Sequence, residues 1–264
     1  RVENCLFTGG NGSGMKFRTG GTVQPTRIHI SRTVARGVAT VGFNVDTANE
    51  ISFNQCEAIN CGTSGFDLGV SSTRCRVQNC ISFGNDENGY EIDGSRHTLI
   101  GNHAYNNGVD AVVAATNRTG FRVEGSLNRL IGNHAYDTQG TPTQQRGFYG
   151  SGITADNSFI DCEANGNVTN WSLGTGNDVK RTRYNVGLVT ENSGTAQIAA
   201  AGTSIVVNHG LAAAPTRVLV SMRSNPGLAI SEYVDTITAT QFTIRSSVAV
   251  TNATDFDWYA LIGD

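Results

Sequence analysis

Carboxylates recur at one place in the local grammar of this 264-residue chain. Glu91 and Asp93 stand two apart in "GYEIDG", Asp67 falls in "GFDLG", Glu124 in "GFRVEG" and Asp46 in "GFNVD", each just after a glycine and an aromatic residue. Arg122 shares its phrase with Glu124, and Tyr149 occupies the same position in "GFYGS". Acids crowded beside a guanidinium can divide the labour of acid–base chemistry, because the cation keeps one carboxyl ionised while like charge holds the proton on another. Carboxyls one strand apart suit a retaining cleavage of a glycosidic bond, and wider pairs that admit a water suit an inverting one. The candidate catalytic residues are therefore Glu91, Asp93, Asp67 and Glu124. Arg122, Tyr149 and Asp46 are the candidate substrate-binding residues, with Tyr149 able to stack on a sugar ring. Two other readings compete: a solvated sheet face in which Arg122 merely neutralises Glu91, and calcium held between the acids. No cofactor and no resident metal is expected, since neither G-x-S-x-G nor H-E-x-x-H occurs.

Those residues must be held by a repeat. "IGNHAY" occurs at 100–105 and again at 131–136, and the glycine–aromatic phrase begins at 14, 42, 65, 89, 120 and 147. A second phrase trails each one: "RIHIS", "EISFNQCEA", "RCRVQNCIS", "HTLIGNHAY", "NRLIGNHAY" and "NSFIDCEAN". Both alternate side chains with a period of two, so both are strands, and Gly and Asn punctuate them where the chain must turn left-handed. One such unit is too small to bury a core, whereas stacked units bury a continuous one. Stacking places Met15, Phe43, Phe66, Tyr90, Phe121 and Phe148 in one inward ladder and turns Lys16, Asn44, Asp67, Glu91, Arg122 and Tyr149, with Asp46, Asp93, Glu124 and Ser151, outward. His103 and His134 then lie one strand spacing apart, about 4.8 Å; they are read as part of the ladder position that Cys56, Cys80 and Cys162 hold elsewhere. The longer repeats carry loops at 106–119 and 138–146, both just before the glycine–aromatic strand and so bordering the acidic face.

This pattern resembles the right-handed parallel β-helix of pectate-lyase-like proteins, over about residues 1–190. From "GTAQIAAAGTSIVVNHGL" onward the coil phrases stop, and alternating segments in 195–264 read as a small antiparallel β-sandwich or β-roll. The phrases "NHGLAAAPTRVLVS", "QFTIR" and "FDWYALI" are similar to the end domain of phage tail-fibre and tailspike proteins. The resemblance implies an all-β protein, a β-helix followed by a sandwich. It further implies a homotrimeric virion appendage, folded in the host cytoplasm, that binds and depolymerises capsule or lipopolysaccharide. A non-enzymatic receptor-binding fibre, and a secreted alginate-type lyase or epimerase, are the alternatives. The opening "RVENC" matches "RVQNC", so a further coil is expected upstream. Val218, Val220, Phe242, Ile244 and Trp258 are expected to supply the trimer's clamp.

Composition narrows the partners. Net charge is −3 with scattered Lys and Arg, which argues against nucleic acid, and no apolar run reaches the ~20 residues of a membrane span. "GGNGSG" at 9–14 lacks the lysine and helix of a phosphate loop and reads as a turn, as does His209 in "NHGL". Cys5, Cys56, Cys80 and Cys162 follow Asn, Gln or Asp at one repeat position without C-x-x-C pairing, so free packing thiols are expected.

Overall fold

The computed structural model describes residues 1–18, 24–150, 156–174, 177–180, 190–211 and 213–262. Two compact units emerge, one built on Arg1–Asp178 and the other on Leu188–Asp264.

The first unit is a parallel β-solenoid. Each coil contributes one short strand to each of three sheets; His29–Ser31, Val34–Arg36 and Phe43–Val45 form one coil, and Ser52–Asn54, Glu57–Ile59 and Phe66–Leu68 the next. Among the described residues the three sheets contain eight, seven and seven strands, every neighbour being the equivalent strand of the adjacent coil. Three-residue strands follow from the alternation: in Phe66–Leu68 and Tyr90–Ile92 the outer two residues are buried and the middle one is not. The inward ladder is as expected and one ring longer, running Phe43, Phe66, Tyr90, Phe121, Phe148 and Trp171 with successive centroids 4.5–4.9 Å apart. Each such contact adds about 0.5–1.5 kcal/mol to the burial of its rings.

Corners are turned by single left-handed residues. Between first and second sheets these are Asn4, Arg32, Gln55, Asn79, Gly101, Gly132 and Asp161; entering the first sheet they are Arg27, Glu50, Arg74, Arg96, Leu127 and Asp156. Glycine and asparagine were anticipated here; arginine and leucine were not, and each costs about 1–2 kcal/mol in this region.

Polar ladders run inside the corners, because the backbone N–H of each corner points inward and needs a partner. Asn102 Oδ1 accepts from Cys80 N at 2.9 Å, and Asn133 Oδ1 accepts from Asn102 N at 3.0 Å and Asn102 Nδ2 at 2.9 Å. A second ladder joins Asn85, Asn107, Gln144 and Asn167. In a third, His97 Nδ1 accepts from Cys75 N at 3.0 Å, and burial pushes that imidazole down to about 4, keeping it neutral. None of the six cysteines is in a disulfide, as expected for the four at the repeat position, Cys5, Cys56, Cys80 and Cys162. The histidine reading needs correction, however. The cysteine position is continued by Asn102 and Asn133, whereas His103 and His134 lie one residue later on the outer face of the second sheet, stacked at 4.9 Å. His134 Nδ1 approaches Glu163 Oε2 at 3.4 Å.

The second unit holds two three-stranded antiparallel sheets, one ordered Glu191–Ile198, Thr254–Leu261, Arg217–Met222 and the other Ser204–Asn208, Gln241–Ser246, Glu232–Asp235. Its first strand begins at Glu191, upstream of the residue 195 expected. Phe242, Ile244 and Trp258 are buried in this unit's own core, with Val218 and Val220 packed against it. They are therefore spent on the fold, and the exposed apolar residues are others, including Val206, Leu219, Met222 and Tyr233. His209 is a buried turn residue whose Nδ1 accepts from Leu211 N at 3.0 Å.

Candidate functional site

The outer face of the third sheet carries the acids. Its strands stack in register, giving one outward column of Lys16, Asn44, Asp67, Glu91, Arg122, Tyr149 and Ser172. Asp46, Gly69, Asp93 and Glu124 follow directly after their strands and form a second column, tied coil to coil by bonds such as Asp93 N to Leu68 O and Glu124 N to Ile92 O. The sequence therefore placed these residues correctly on one face; Ser151 lies outside the described residues.

Arg122 is the hub. Its Nη1 lies 2.5 Å from Glu91 Oε1 and 3.2 Å from Asp93 Oδ1, and its Nη2 lies 2.5 Å from Glu124 Oε2. With its side chain only 14% exposed, the guanidinium is shielded enough for these bonds to matter. A cation thus already stands where calcium between the acids would have stood, and among the described residues no group of three or more His, Cys, Asp or Glu is arranged to hold a metal.

Glu91 is fully engaged: Ser64 Oγ donates to its Oε2 at 2.8 Å while Arg122 takes Oε1. Asp67 and Asp93 each keep one oxygen outside these bonds. Asn44 Nδ2 donates to Asp67 Oδ2 at 2.9 Å, yet burial, then the charges of Glu91, Asp93 and Asp46, push Asp67 up to about 7. Burial also pushes Asp93 up to about 6, opposed by Arg122 and helped by Glu91 and Glu124. Asp67 and Asp93 sit one coil across and two residues along, so their α-carbons are about 8 Å apart. Gly69, between Asp46 and Asp93 in the second column, has no side chain to fill the space beside them.

Two expected members stand apart. Asp46 pairs with Lys16 at 3.5 Å and is separated from Asp93 by the Gly69 coil. Tyr149 lies between Arg122 and Ser172 in the column, and Arg146 covers one ring face at 4.8 Å from the centroid. Sequence reasoning missed Ser64, whose hydroxyl reaches Glu91 from the residue before Gly65, and Asn44 as the donor to Asp67. It also missed Glu87, raised by burial and then by the Glu91 charge. Asn44 Oδ1 and Arg122 Nε are buried with no hydrogen-bond partner among the described residues.

The loops border this face as expected. Gln145 N and Arg146 N both donate to Arg118 O, at 2.8 and 3.3 Å, so the two loops pack on one another. Asp137 organises the second loop, its carboxylate accepting from the backbones of Gln139, Thr143 and Gln144.

A family model described as a right-handed β-helix region matches residues 1–127. Among solved structures, the chain is similar to the tailspike gp61 of Pseudomonas phage phi297, at 11% identity and a TM-score of 0.43, covering 99% of this chain and 59% of that one. It is similar to the Dettilon tailspike protein gp208 at 12% identity and a TM-score of 0.44, covering 88% of this chain and 56% of that one. The gp54 tailspike of Acinetobacter baumannii bacteriophage AP22, solved in complex with A. baumannii capsular saccharide, matches at 10% identity and a TM-score of 0.35, covering 99% and 61%. The chain spans less than two thirds of the length of these three proteins. No curated protein matches it in sequence.

Proposed function

We propose that this chain belongs to a bacteriophage tailspike, a homotrimeric component of the virion tail. In this reading it binds bacterial capsule or lipopolysaccharide and hydrolyses it on the third sheet, with inversion at the anomeric carbon. The observation that carries the catalytic reading is the pair Asp67 and Asp93, two half-buried carboxyls on neighbouring coils of one polar sheet face, raised to about 7 and about 6. Their α-carbons are about 8 Å apart, and the inverting assignment requires that the carboxyls themselves keep the wider spacing that admits a water.

In this mechanism Asp67 is the acid and Asp93 the base. Asp93 takes a proton from a water as its oxygen bonds to the anomeric carbon; Asp67 gives its proton to the departing glycosidic oxygen as the old C–O bond breaks. Arg122 fixes Asp93 through Oδ1 and leaves the other oxygen for the water. Glu91, held at both oxygens, positions Arg122, and its negative charge adds to the burial that keeps the proton on Asp67. Tyr149, beside Arg122 on the next coil, offers an aromatic ring to a sugar.

One observation favours a second reading. Arg122 bonds Glu91, Asp93 and Glu124 within the protein and offsets part of their charge, so the face would also serve as a non-enzymatic receptor-binding surface. Incubation with capsule and lipopolysaccharide preparations separates the possibilities. Hydrolysis gives new reducing ends, first as the inverted anomer by proton NMR; an alginate-type lyase gives ultraviolet-absorbing unsaturated ends, an epimerase changes composition without shortening the polymer, and a binding fibre changes nothing.

A further inference from the structure

Charge is segregated between faces of the solenoid. The first sheet's outward column runs His29, Ser52, Arg76, Thr98, Arg129 and Ser158. Arg27, Arg74 and Arg96 stand at the corner that enters this sheet. All five of these arginines are exposed. The nearby acids are spent early: Glu50 pairs with Arg27 at 3.0 Å and Arg74 at 3.9 Å, and Glu3 pairs with Arg1 and, at 3.8 Å, with Arg32. Arg76, Arg96 and Arg129 have no carboxylate within ion-pair distance among the described residues. They fall on three consecutive coils, so they climb along the solenoid axis in steps of about 4.8 Å.

A groove of about 450 Å³ opens on the earlier coils of the same face, lined by Glu3, His29, Ser52, Asn54, Arg76 and Gln78 among others; it reaches Arg76, and Arg96 and Arg129 continue the line on the two coils beyond it. Hydroxyls and amides on a shallow sheet face match the hydroxyls of a sugar chain. Unpaired guanidiniums repel one another across coils, and a bound carboxylate relieves that repulsion through bidentate bonds.

We propose that this face is a second polysaccharide site, distinct from the acids of the third sheet, and that it binds a linear glycan carrying carboxylate groups, lying along Arg76, Arg96 and Arg129. The inference rests on the reading that the chain engages surface glycan, and narrows that glycan to the acidic class. The rival occupant, the acidic third sheet of a second copy, would fit the same charge but leaves the amide-lined groove without a purpose.

The test is calorimetric titration of the full chain with hyaluronan, alginate and polygalacturonate oligosaccharides, against neutral dextran, at low and high salt. At least one acidic probe should bind more tightly than dextran, and more weakly as salt rises. Replacing Arg76, Arg96 and Arg129 with Gln together should weaken that probe by about ten-fold or more, and Lys at all three should restore much of it. Cleavage of the same probes is scored separately by new reducing ends, which separates failure of binding at the arginines from failure of the catalytic reading. Circular dichroism melting confirms that each variant is folded. Equal affinity for acidic and neutral probes, or a folded Gln variant that binds as wild type, overturns the proposal. So does a Gln variant whose only change is loss of self-association in sedimentation.

Discussion

Asp67 and Asp93 lie diagonally across neighbouring coils, with Glu91 directly beside Asp67 on the next strand and two residues before Asp93. Glu91 has both oxygens occupied, by Ser64 and Arg122, while its two neighbours keep an oxygen free and hold their protons to about pH 7 and about pH 6. The residue richest in partners is thus the least suited to turnover.

A bell-shaped pH profile follows. Asp93 must be ionised to accept a proton, so activity rises as pH passes about 6; Asp67 must be protonated to donate one, so activity falls as pH passes about 7. Depolymerisation rate against pH should therefore peak narrowly between those values. A plateau reaching well above neutrality would remove Asp67 from the role of acid.

Arg122→Gln should act in two ways. Arg122 opposes the upward shift of Asp93, so its loss moves the rising limb of the profile to higher pH. It also strands three carboxylates together, which should cost about 3 kcal/mol of stability by chemical denaturation. Arg122→Lys keeps the charge and should recover part of both. An unshifted limb in a folded Gln variant would contradict this account of Asp93.

The corner ladders should matter as much as the aromatic stack. Asn102→Ala removes the acceptor of Cys80 N and a donor to Val77 O and Asn133 Oδ1, leaving buried groups unpaired at about 1–3 kcal/mol. Urea unfolding should show a loss in that range. Thr138→Ala, which removes an exposed bond to Asn106, provides a control expected to change stability by less than about 0.5 kcal/mol.

Self-association is expected to depend on the second unit. Sedimentation of the full chain should give a trimer, and removal of residues from Gly194 onward a smaller species. Because Phe242, Ile244 and Trp258 belong to the unit's core, the informative substitutions are on its exposed apolar residues. Leu219→Asp should weaken the trimer while leaving melting of the dissociated chain nearly unchanged. A monomeric full-length protein would contradict the trimer.

Much of this was legible because a solenoid repeats its grammar. The glycine–aromatic phrase located the inward ladder from Met15 to Phe148, and alternation put Asp67, Glu91 and Arg122 on the opposite side of the same strands. Partnership within that face was less legible. Which acid stays free depends on Ser64 and Asn44, whose short side chains carry no pattern of their own. The histidines misled for a related reason: two adjacent residues, Asn102 and His103, point to opposite sides of the corner, and a one-residue slip moves a side chain from core to surface. Left-handed Arg74, Arg96 and Leu127 carried no signal, since neither arginine nor leucine is favoured there.

The most direct test of the central claim compares polysaccharide degradation by wild type, Asp67→Asn and Asp93→Asn. Each variant should lose at least about a hundred-fold in rate, the scale of a positioned acid or base. Both should remain folded, and Asp67→Asn should melt higher than wild type above about pH 7. The folded-state value of Asp67 is raised, so its contribution to stability is present at low pH and is lost as pH rises through about 7, a loss that asparagine does not suffer. Wild-type rates in either folded variant, on a polysaccharide that the native protein degrades, would contradict the assignment of Asp67 and Asp93 as the catalytic pair.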